Sequence, residues 1–195
     1  SANTSGRPSP TLAEHVAEDL GGKIDMILDG GAVEIGLEST ILDMTVTPPM
    51  ILRPGAITAE MFEEVIGKVD VDETLLVAEK APKAPGMKYR HYAPKAKLMI
   101  VEGDLREEIF AIRQLAYKAY KEGRKVGVIA TTETLPFYKY GVVKNIGTRE
   151  NEKTIARNLY RVLREFDEED VEEIYSESFA AQGIGKAIMN RLAKA

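Results

Sequence analysis

The sequence contains no cysteine in its 195 residues. This absence excludes disulfides, thiolate zinc sites and cysteine nucleophiles. Only two histidines occur, His15 and His91, which are too few for a multi-histidine metal site. The sequence also lacks an apolar run near the ~20 residues of a membrane span, and no signal-peptide pattern opens it. We therefore expect a cytoplasmic protein without membrane contact.

Positive charge is scarce overall and concentrated in one segment. The chain has 26 basic and 31 acidic residues, a net charge of −5, which argues against nucleic-acid binding over the whole surface. Between positions 80 and 97, however, there are six basic residues and no acid: Lys80, Lys83, Lys88, Arg90, Lys95 and Lys97.

Composition divides the sequence into three zones. Residues 1–80 mix short apolar runs with turn signals. Residues 81–97 hold three prolines and the basic excess, which predicts an extended linker. Residues 98–195 alternate strand-like and helix-like segments, which predicts a small α/β domain with mainly parallel strands. The sequence begins with Ser1 rather than methionine, and we expect it to be part of a longer protein.

Local patterns predict the elements of the first zone. Ser9 before Pro10 predicts a helix start, with Ser9 as its cap. Apolar residues at alternate positions over 33–45 predict a strand that turns Ser39 inward and Glu38 outward. A short strand is expected at 51–52, followed by a helix over 58–66 that ends at Gly67.

The last zone gives clearer signals. Strands are expected at 98–101, 126–130 and 142–146 and from Ile174 onward. The near-continuous apolar run over 126–130 predicts a strand covered on both faces. Helices are expected over 104–122, around 155–166 and over 183–194.

Several polar residues of the first zone are candidates for a binding site. The loop before the predicted helix contains Ser1, Asn3 and Ser9, whose donors suit an anion; the alternative is an ordinary polar loop. Ser39 is either a core serine or a contact to a polar ligand. Arg53 follows a strand and precedes a proline–glycine turn, so it suits a phosphate or carboxylate, with a surface salt bridge as the alternative.

The linker is a further candidate, because aromatic and basic residues are interleaved in it. Residues 88–92 read Lys-Tyr-Arg-His-Tyr. Such side chains stack on bases and neutralise phosphates. This composition does not distinguish a nucleotide from RNA.

Four segments in this order resemble one known family. They are SANTSGRPSPT, GLEST, ILRPGAIT and APGMKYRHYAP. The sequence resembles the threonylcarbamoyl-AMP synthases, the two-domain branch of the YrdC-like family. The resemblance implies the C-terminal part of a YrdC-like twisted α/β domain over 1–80, a linker over 81–97 that closes the active site, and a small Rossmann-like domain over 98–195.

The resemblance also implies an activity. Such enzymes condense L-threonine, bicarbonate and ATP, with Mg²⁺ accompanying the ATP, into threonylcarbamoyl-AMP and pyrophosphate. Partner proteins then use the product to modify tRNA, and direct tRNA contact is open. The same resemblance implies that ATP is bound by Ser1, Asn3, Ser9, Arg53 and Tyr92 and that L-threonine is bound by Ser39. It also implies that Lys88, Arg90 and His91 help the linker to close the active site, and that the protein supplies no metal ligand.

One departure from the family pattern concerns activity. The family's Lys-x-Arg element lies upstream of its Ser-x-Asn element, with which this sequence begins, so we expect the 195-residue span alone to be inactive. Two alternatives are a double-stranded RNA-binding module and a maturation protein that forms a carbamoyl-adenylate from carbamoyl phosphate.

Overall fold

The computed structural model describes residues 1–72 and 93–195. Residues 1–72 contain helix α1 (Ala13–Leu20), strands β1 (Ile41–Asp43) and β2 (Met50–Arg53), helix α2 (Ala59–Ile66) and strand β3 (Asp70–Val71). The three strands form a sheet in the order β1-β2-β3, with β1 antiparallel and β3 parallel to β2. We call residues 1–72 the N-terminal part.

Residues 93–195, the C-terminal part, form a parallel α/β layer. Their elements are β4 (Lys97–Val101), α3 (Leu105–Lys121), β5 (Val126–Ala130), a 3₁₀ turn (Leu135–Phe137), β6 (Val142–Asn145), α4 (Glu152–Glu168), β7 (Glu173–Glu177) and α5 (Gly183–Leu192). The sheet order is β4-β7-β5-β6, and all pairs are parallel. Parallel strands require crossover connections. Helix α3 connects β4 to β5 and helix α4 connects β6 to β7, whereas residues 131–141, with the 3₁₀ turn, connect β5 to β6.

Both faces of this sheet are covered. Helix α3 packs on one face against Val126, Val128 and Tyr175. Helices α4 and α5 pack on the other face against Ile129 and Ile174. Every residue of β5 is buried, as expected for an inner strand whose sequence is continuously apolar.

Local signals explain where the long helices begin. The Asp104 carboxylate accepts hydrogen bonds from the backbone N–H groups of Arg106 and Glu107, at 2.9 and 3.0 Å, and the Glu107 carboxylate accepts one from Asp104 N–H. This capping box fixes the start of α3. The Asn151 side chain caps α4 in the same manner through Lys153 N–H.

A buried ion pair joins the two parts. Arg164 on α4 is 1% exposed and donates to the Asp19 carboxylate at 2.9 Å and to the Pro8 carbonyl at 2.6 Å. Gly36 lies against the same helix, since a Cβ built there would be 2.5 Å from Cα of Arg157. The N-terminal part therefore packs on the α4–α5 side of the sheet.

The α/β prediction with parallel strands is confirmed, and the expected elements of residues 98–195 occur within a few residues of their predicted bounds. The predicted boundaries at 80 and 97 stay predictions, because residues 73–92 lie outside the described ranges. None of the helices in those ranges combines the length and apolar composition that crossing a bilayer requires.

Two local predictions for the N-terminal part were wrong. Helix α1 begins at Ala13, and Ser9 does not cap it, because the Ser9 hydroxyl donates to Glu38 instead. The strand expected over 33–45 is confined to Ile41–Asp43. Ser39 consequently is exposed and Glu38 largely buried, the reverse of the predicted orientation, because irregular backbone does not alternate its side chains between two faces.

Candidate functional site

The loop before α1 folds back on itself through its own side chains. The Ser1 hydroxyl contacts the Asn3 side chain and lies 3.4 Å from Ser9 Oγ. Asn3 Nδ2 donates to the carbonyls of Thr4 and Arg7 at 2.9 and 3.3 Å. Three predicted site residues, Ser1, Asn3 and Ser9, thus share one compact polar loop.

Asp19 at the end of α1 anchors this loop. Its buried carboxylate accepts hydrogen bonds from Thr4 N–H at 2.9 Å and from Arg164, and it pairs with Arg7. Burial acts to raise the pKa of Asp19, but the hydrogen bonds from Arg164 and Thr4 and the nearby positive charges outweigh it and lower the pKa. The carboxylate therefore stays ionised and holds the loop against α4.

Glu38 connects the loop to the C-terminal part. Its Oε1 accepts from the Ser9 hydroxyl at 2.6 Å, and its Oε2 accepts from Tyr160 OH at 2.8 Å and from Arg191 Nε at 2.7 Å. Burial acts to raise the pKa of Glu38, but the Arg191 charge and the Ser9 hydrogen bond lower it below its ordinary value. One carboxylate thus ties the loop to both α4 and α5.

Arg53 and Ser39 form the other half of the candidate site. Arg53 Nε donates to the Ser39 carbonyl at 3.1 Å, and Arg53 Nη2 donates to Ser39 Oγ at 3.4 Å. Gly55 permits this approach, because a Cβ there would lie 2.7 Å from the Glu38 carbonyl and 2.6 Å from the Thr40 nitrogen. The arginine at the end of β2 is thereby held beside the segment that follows Glu38.

A continuous series of contacts joins five predicted site residues. It runs from Asn3 and Ser1 to Ser9, through Glu38 to its neighbour Ser39, and on to Arg53. Hydroxyl, amide and guanidinium donors therefore occupy one region. Such donors suit a phosphate or carboxylate ligand.

A second source of positive charge at this region is the C-terminal end of the chain. Lys194 is partly buried, and burial together with the charges of Arg191 and Arg53 lowers its pKa to about 8. Because the charge of Arg53 contributes to this shift, Lys194 lies within electrostatic range of the candidate site. An anion there would relieve the repulsion between these cations.

The described end of the linker also reaches the loop. Ala93 N–H donates to the Gly6 carbonyl at 3.2 Å. The predicted site residues Tyr92, Lys88, Arg90 and His91 lie outside the described residues.

Within residues 1–72 and 93–195, no group of three or more His, Asp or Glu side chains is arranged to hold a metal ion.

Two family models cover nearly the whole chain. The model described as "Threonylcarbamoyl-AMP synthase, C-terminal domain" matches residues 57–195. The chain belongs to the threonylcarbamoyl-AMP synthase family. A second model, described as "Telomere recombination", matches residues 1–55.

Similar proteins from three organisms are all named threonylcarbamoyl-AMP synthase. Proteins named threonylcarbamoyl-AMP synthase from Bacillus subtilis and Pyrococcus abyssi are 49% and 46% identical over the full chain. One from Schizosaccharomyces pombe is 39% identical. This chain corresponds to 55%, 56% and 50% of their respective lengths, so it spans about half of each relative.

A solved structure has the same fold. It is the crystal structure of P. abyssi Sua5 complexed with L-threonine, which is 44% identical with a TM-score of 0.89, covering all of this chain and 56% of that one. The family resemblance drawn from the four motifs is therefore confirmed, as is the fold class. The roles of the individual site residues stay predictions.

Sequence reasoning missed the residues that hold the site together. Glu38, Arg164 and Arg191 are charged side chains that are largely or wholly buried at the junction of the two parts. Buried charges require partners, and the partners in the opposite part of the chain are 122 to 156 positions away in sequence. Glycines did offer one signal, since Gly36 and Gly55 mark the close approaches that bring Glu38 and Arg53 into position.

Proposed function

We propose that this chain forms part of an enzyme that makes threonylcarbamoyl-AMP and pyrophosphate from L-threonine, bicarbonate and ATP. The observation that carries the proposal is the Arg53–Ser39 pair, linked through Glu38 to the polar loop of Ser1, Asn3 and Ser9. Family membership supplies the reaction, and this cluster supplies donors for its anionic substrates.

The reaction needs no protein nucleophile. The amine of L-threonine adds to the carbon of bicarbonate with loss of water to give threonylcarbamate. A carboxylate oxygen of this carbamate attacks the α-phosphorus of ATP, a new P–O bond forms, and the bond to the pyrophosphate oxygen breaks. Negative charge shifts onto the leaving pyrophosphate. A positioned guanidinium such as that of Arg53 stabilises this charge, and fixed hydroxyl and amide donors keep the reactants aligned. Mg²⁺ enters as part of the ATP substrate and shields the phosphates.

Ser1, Asn3, Ser9 and Arg53 are proposed to bind ATP, while Ser39 is proposed to bind L-threonine. The position of Ser39 supports its assignment to threonine, because Ser39 is exposed and its Oγ lies 3.4 Å from Arg53 Nη2. A threonine carboxylate at this hydroxyl would be close to the arginine. The P. abyssi relative is complexed with L-threonine, which agrees with a threonine site in this family.

The linker is proposed to close over the nucleotide through Lys88, Arg90, His91 and Tyr92. Support comes from the residue that follows them, because Ala93 N–H bonds to Gly6 in the polar loop. Closure would exclude water from a carbamate that hydrolyses readily. The product would then pass to a partner protein that modifies tRNA, and location in the cytoplasm would suit that transfer.

The test is pyrophosphate release in a protein of the relatives' full length that contains this chain. With L-threonine, bicarbonate and Mg-ATP present, Arg53→Ala should lower kcat by roughly 100-fold, the usual loss for removing a charge-stabilising donor. Arg106→Ala is the matched control, because Arg106 is exposed on α3. Retention of more than about a tenth of the activity by Arg53→Ala would contradict the assignment.

The same assay tests the other expectations from the sequence. The 195-residue chain alone is expected to release no pyrophosphate, since it spans only about half the length of its relatives. Carbamoyl phosphate should not replace bicarbonate. Family membership favours the synthase over both the carbamoyl-adenylate former and the double-stranded RNA module.

A further inference from the structure

A cavity lies where the N-terminal part of the chain meets helix α4. Its volume is about 320 Å³. The N-terminal part lines it with Thr11, Leu12 and Val33, and α4 lines it with polar side chains that include Arg157 and Arg161. We call this space the junction cavity. Ligand cavities often lie at interfaces between domains and measure about 300–1,000 Å³, so the junction cavity suits a small molecule.

The positive charge of the junction cavity comes from a row of arginines on α4. Arg157, Arg161 and Arg164 follow one another at intervals of four and three residues, which places them on one face of the helix. Arg164 is buried and neutralised by the buried carboxylate of Asp19 at 2.9 Å. Arg157 and Arg161 instead line the open space beside this ion pair.

These two arginines are only partly neutralised. Arg161 Nη1 pairs with Glu165 at 2.8 Å, but Glu165 is shared with Lys144 at 3.4 Å. Arg157 is exposed and forms no ion pair within residues 1–72 and 93–195. Among the residues that the structure describes, no Asp or Glu lines the cavity. Like charges four residues apart on a helix repel each other, so an anion between these arginines would be stabilised.

Hydrogen bonds hold both sides of the junction cavity in place. Val33 N–H donates to the Thr11 carbonyl at 3.1 Å, and Thr11 N–H donates to Nδ1 of the buried His15 at 3.1 Å. On α4, Asn158 Nδ2 donates to the Ile146 carbonyl at 3.0 Å. A preformed cavity binds its ligand without the cost of ordering the residues around it.

We propose that the junction cavity binds a small organic anion, which carries a phosphate or carboxylate group on an apolar body. The guanidinium groups of Arg157 and Arg161 hold the anionic group, because their planar forks match both phosphate and carboxylate. Leu12 and Val33 contact the apolar body. None of the described residues assigned to ATP or threonine lines this cavity. This binding is therefore separate from the proposed synthase reaction and does not depend on it.

Isothermal titration calorimetry of the 195-residue chain tests the requirement for an anion. The probes are phenyl phosphate, benzoate and the neutral benzyl alcohol, which share one aromatic ring. We expect both anions to bind at least about tenfold more tightly than benzyl alcohol, because the alcohol offers the guanidinium groups no charged acceptor. The tighter anion identifies the preferred acidic group. Benzyl alcohol that binds as tightly as the anions would overturn the proposal.

Variants of the cavity separate the charged contact from the apolar one. Arg157→Gln should weaken phenyl phosphate binding about tenfold, and Arg157→Lys about threefold, because an ammonium lacks the planar fork. Arg106→Gln is the matched control, since Arg106 is exposed on α3. Val33→Ala should weaken phenyl phosphate about threefold but leave inorganic phosphate unchanged, because only the ring loses an apolar contact. Arg157→Gln that binds like the parent would overturn the proposal.

NMR locates the bound probe. Phenyl phosphate should shift the backbone amide signal of Val33 and the side-chain amide signals of Asn158, since these residues lie on opposite sides of the cavity. Arg53→Gln should leave the Kd unchanged. Binding that is lost in Arg53→Gln and kept in Arg157→Gln would place the probe at the candidate synthase site and would overturn the junction cavity as its site. Thermal unfolding without probe verifies that each variant is folded.

Discussion

Replacing Glu38 by glutamine tests how the two parts of the chain hold the candidate site. The Glu38 carboxylate accepts hydrogen bonds from Ser9, Tyr160 and Arg191 at 2.6, 2.8 and 2.7 Å. Glutamine keeps the size of the side chain and one acceptor oxygen but removes the charge. The substitution therefore isolates the ion pair with Arg191, whose side chain is 1% exposed.

The expected loss of stability is about 3 kcal/mol. Removing one partner of a buried ion pair costs about 3–5 kcal/mol, because the other charge remains desolvated. The low end applies because the Glu38 side chain keeps 12% exposure and glutamine still accepts a hydrogen bond. Since domains unfold with only about 5–15 kcal/mol, this loss would be readily measurable.

Urea unfolding of five chains at neutral pH, the parent, the two single variants, the double variant and a control, measures this effect. Glu38→Gln should lose about 3 kcal/mol, and the double variant with Arg191→Met should lose less than the sum of the single variants, because the two residues are coupled. Glu34→Gln is the matched control, since exposed Glu34 lies in the same segment. A change within about 0.5 kcal/mol for Glu38→Gln, the range of ordinary surface substitutions, would refute the reasoning.

The pH dependence adds a check with a defined sign. The pKa of Glu38 is lowered in the folded protein, so its stabilisation is present above its ordinary value of 4.5 and disappears as pH falls through the folded-state pKa. The stability difference between the parent and Glu38→Gln should therefore shrink below that ordinary value. A constant difference would mean that the charge of Glu38 is not involved.

Two further predictions address the backbone and the cations at the site. Gly36→Ala should lower the free energy of unfolding in urea by about 2 kcal/mol or more, because φ at Gly36 is +77° and the new Cβ would be 2.5 Å from Arg157 Cα. The control Gly30→Ala places a Cβ where no atom lies within 4 Å and should change stability by less than about 1 kcal/mol. Equal effects of the two substitutions would contradict the close packing at Gly36. NMR titration of Lys194 should give a pKa near 8. This pKa should rise in Arg53→Ala and on addition of ATP, because the loss of a like charge or the arrival of an anion favours the ammonium form. An unchanged pKa in Arg53→Ala would show that the Arg53 charge does not act on Lys194.

The alternation of residues 98–195 was sufficient to predict their fold. Continuous apolar runs such as Val126–Ala130, all of it buried, and the stripe of α4 with Ile155, Leu159 and Phe166 in the core follow directly from local periodicity. These elements bury the faces that their sequences mark as apolar. The helices between β4 and β5 and between β6 and β7 account for the parallel direction of those strands, whereas β5 and β6 are parallel with only a 3₁₀ turn between them.

The same reasoning failed over residues 33–45 because the segment is held by distant partners. Gly36 rests on α4, and Glu38 points into the junction where Arg191 and Tyr160 meet it. Packing against another part of the chain overrides a weak period-two pattern. The exposure of Ser39 beside Arg53 follows from that packing.

The sequence by itself determined the family, through four ordered motifs, and the α/β layer, through periodicity within short windows. It also identified Ser1, Asn3, Ser9, Ser39 and Arg53 as candidate site residues. Only the tertiary structure decided that Glu38 joins them and that Arg164 and Arg191 from the other part fix them. Local patterns depend on neighbours within a few residues, whereas a buried charge depends on which distant segments the fold brings into contact.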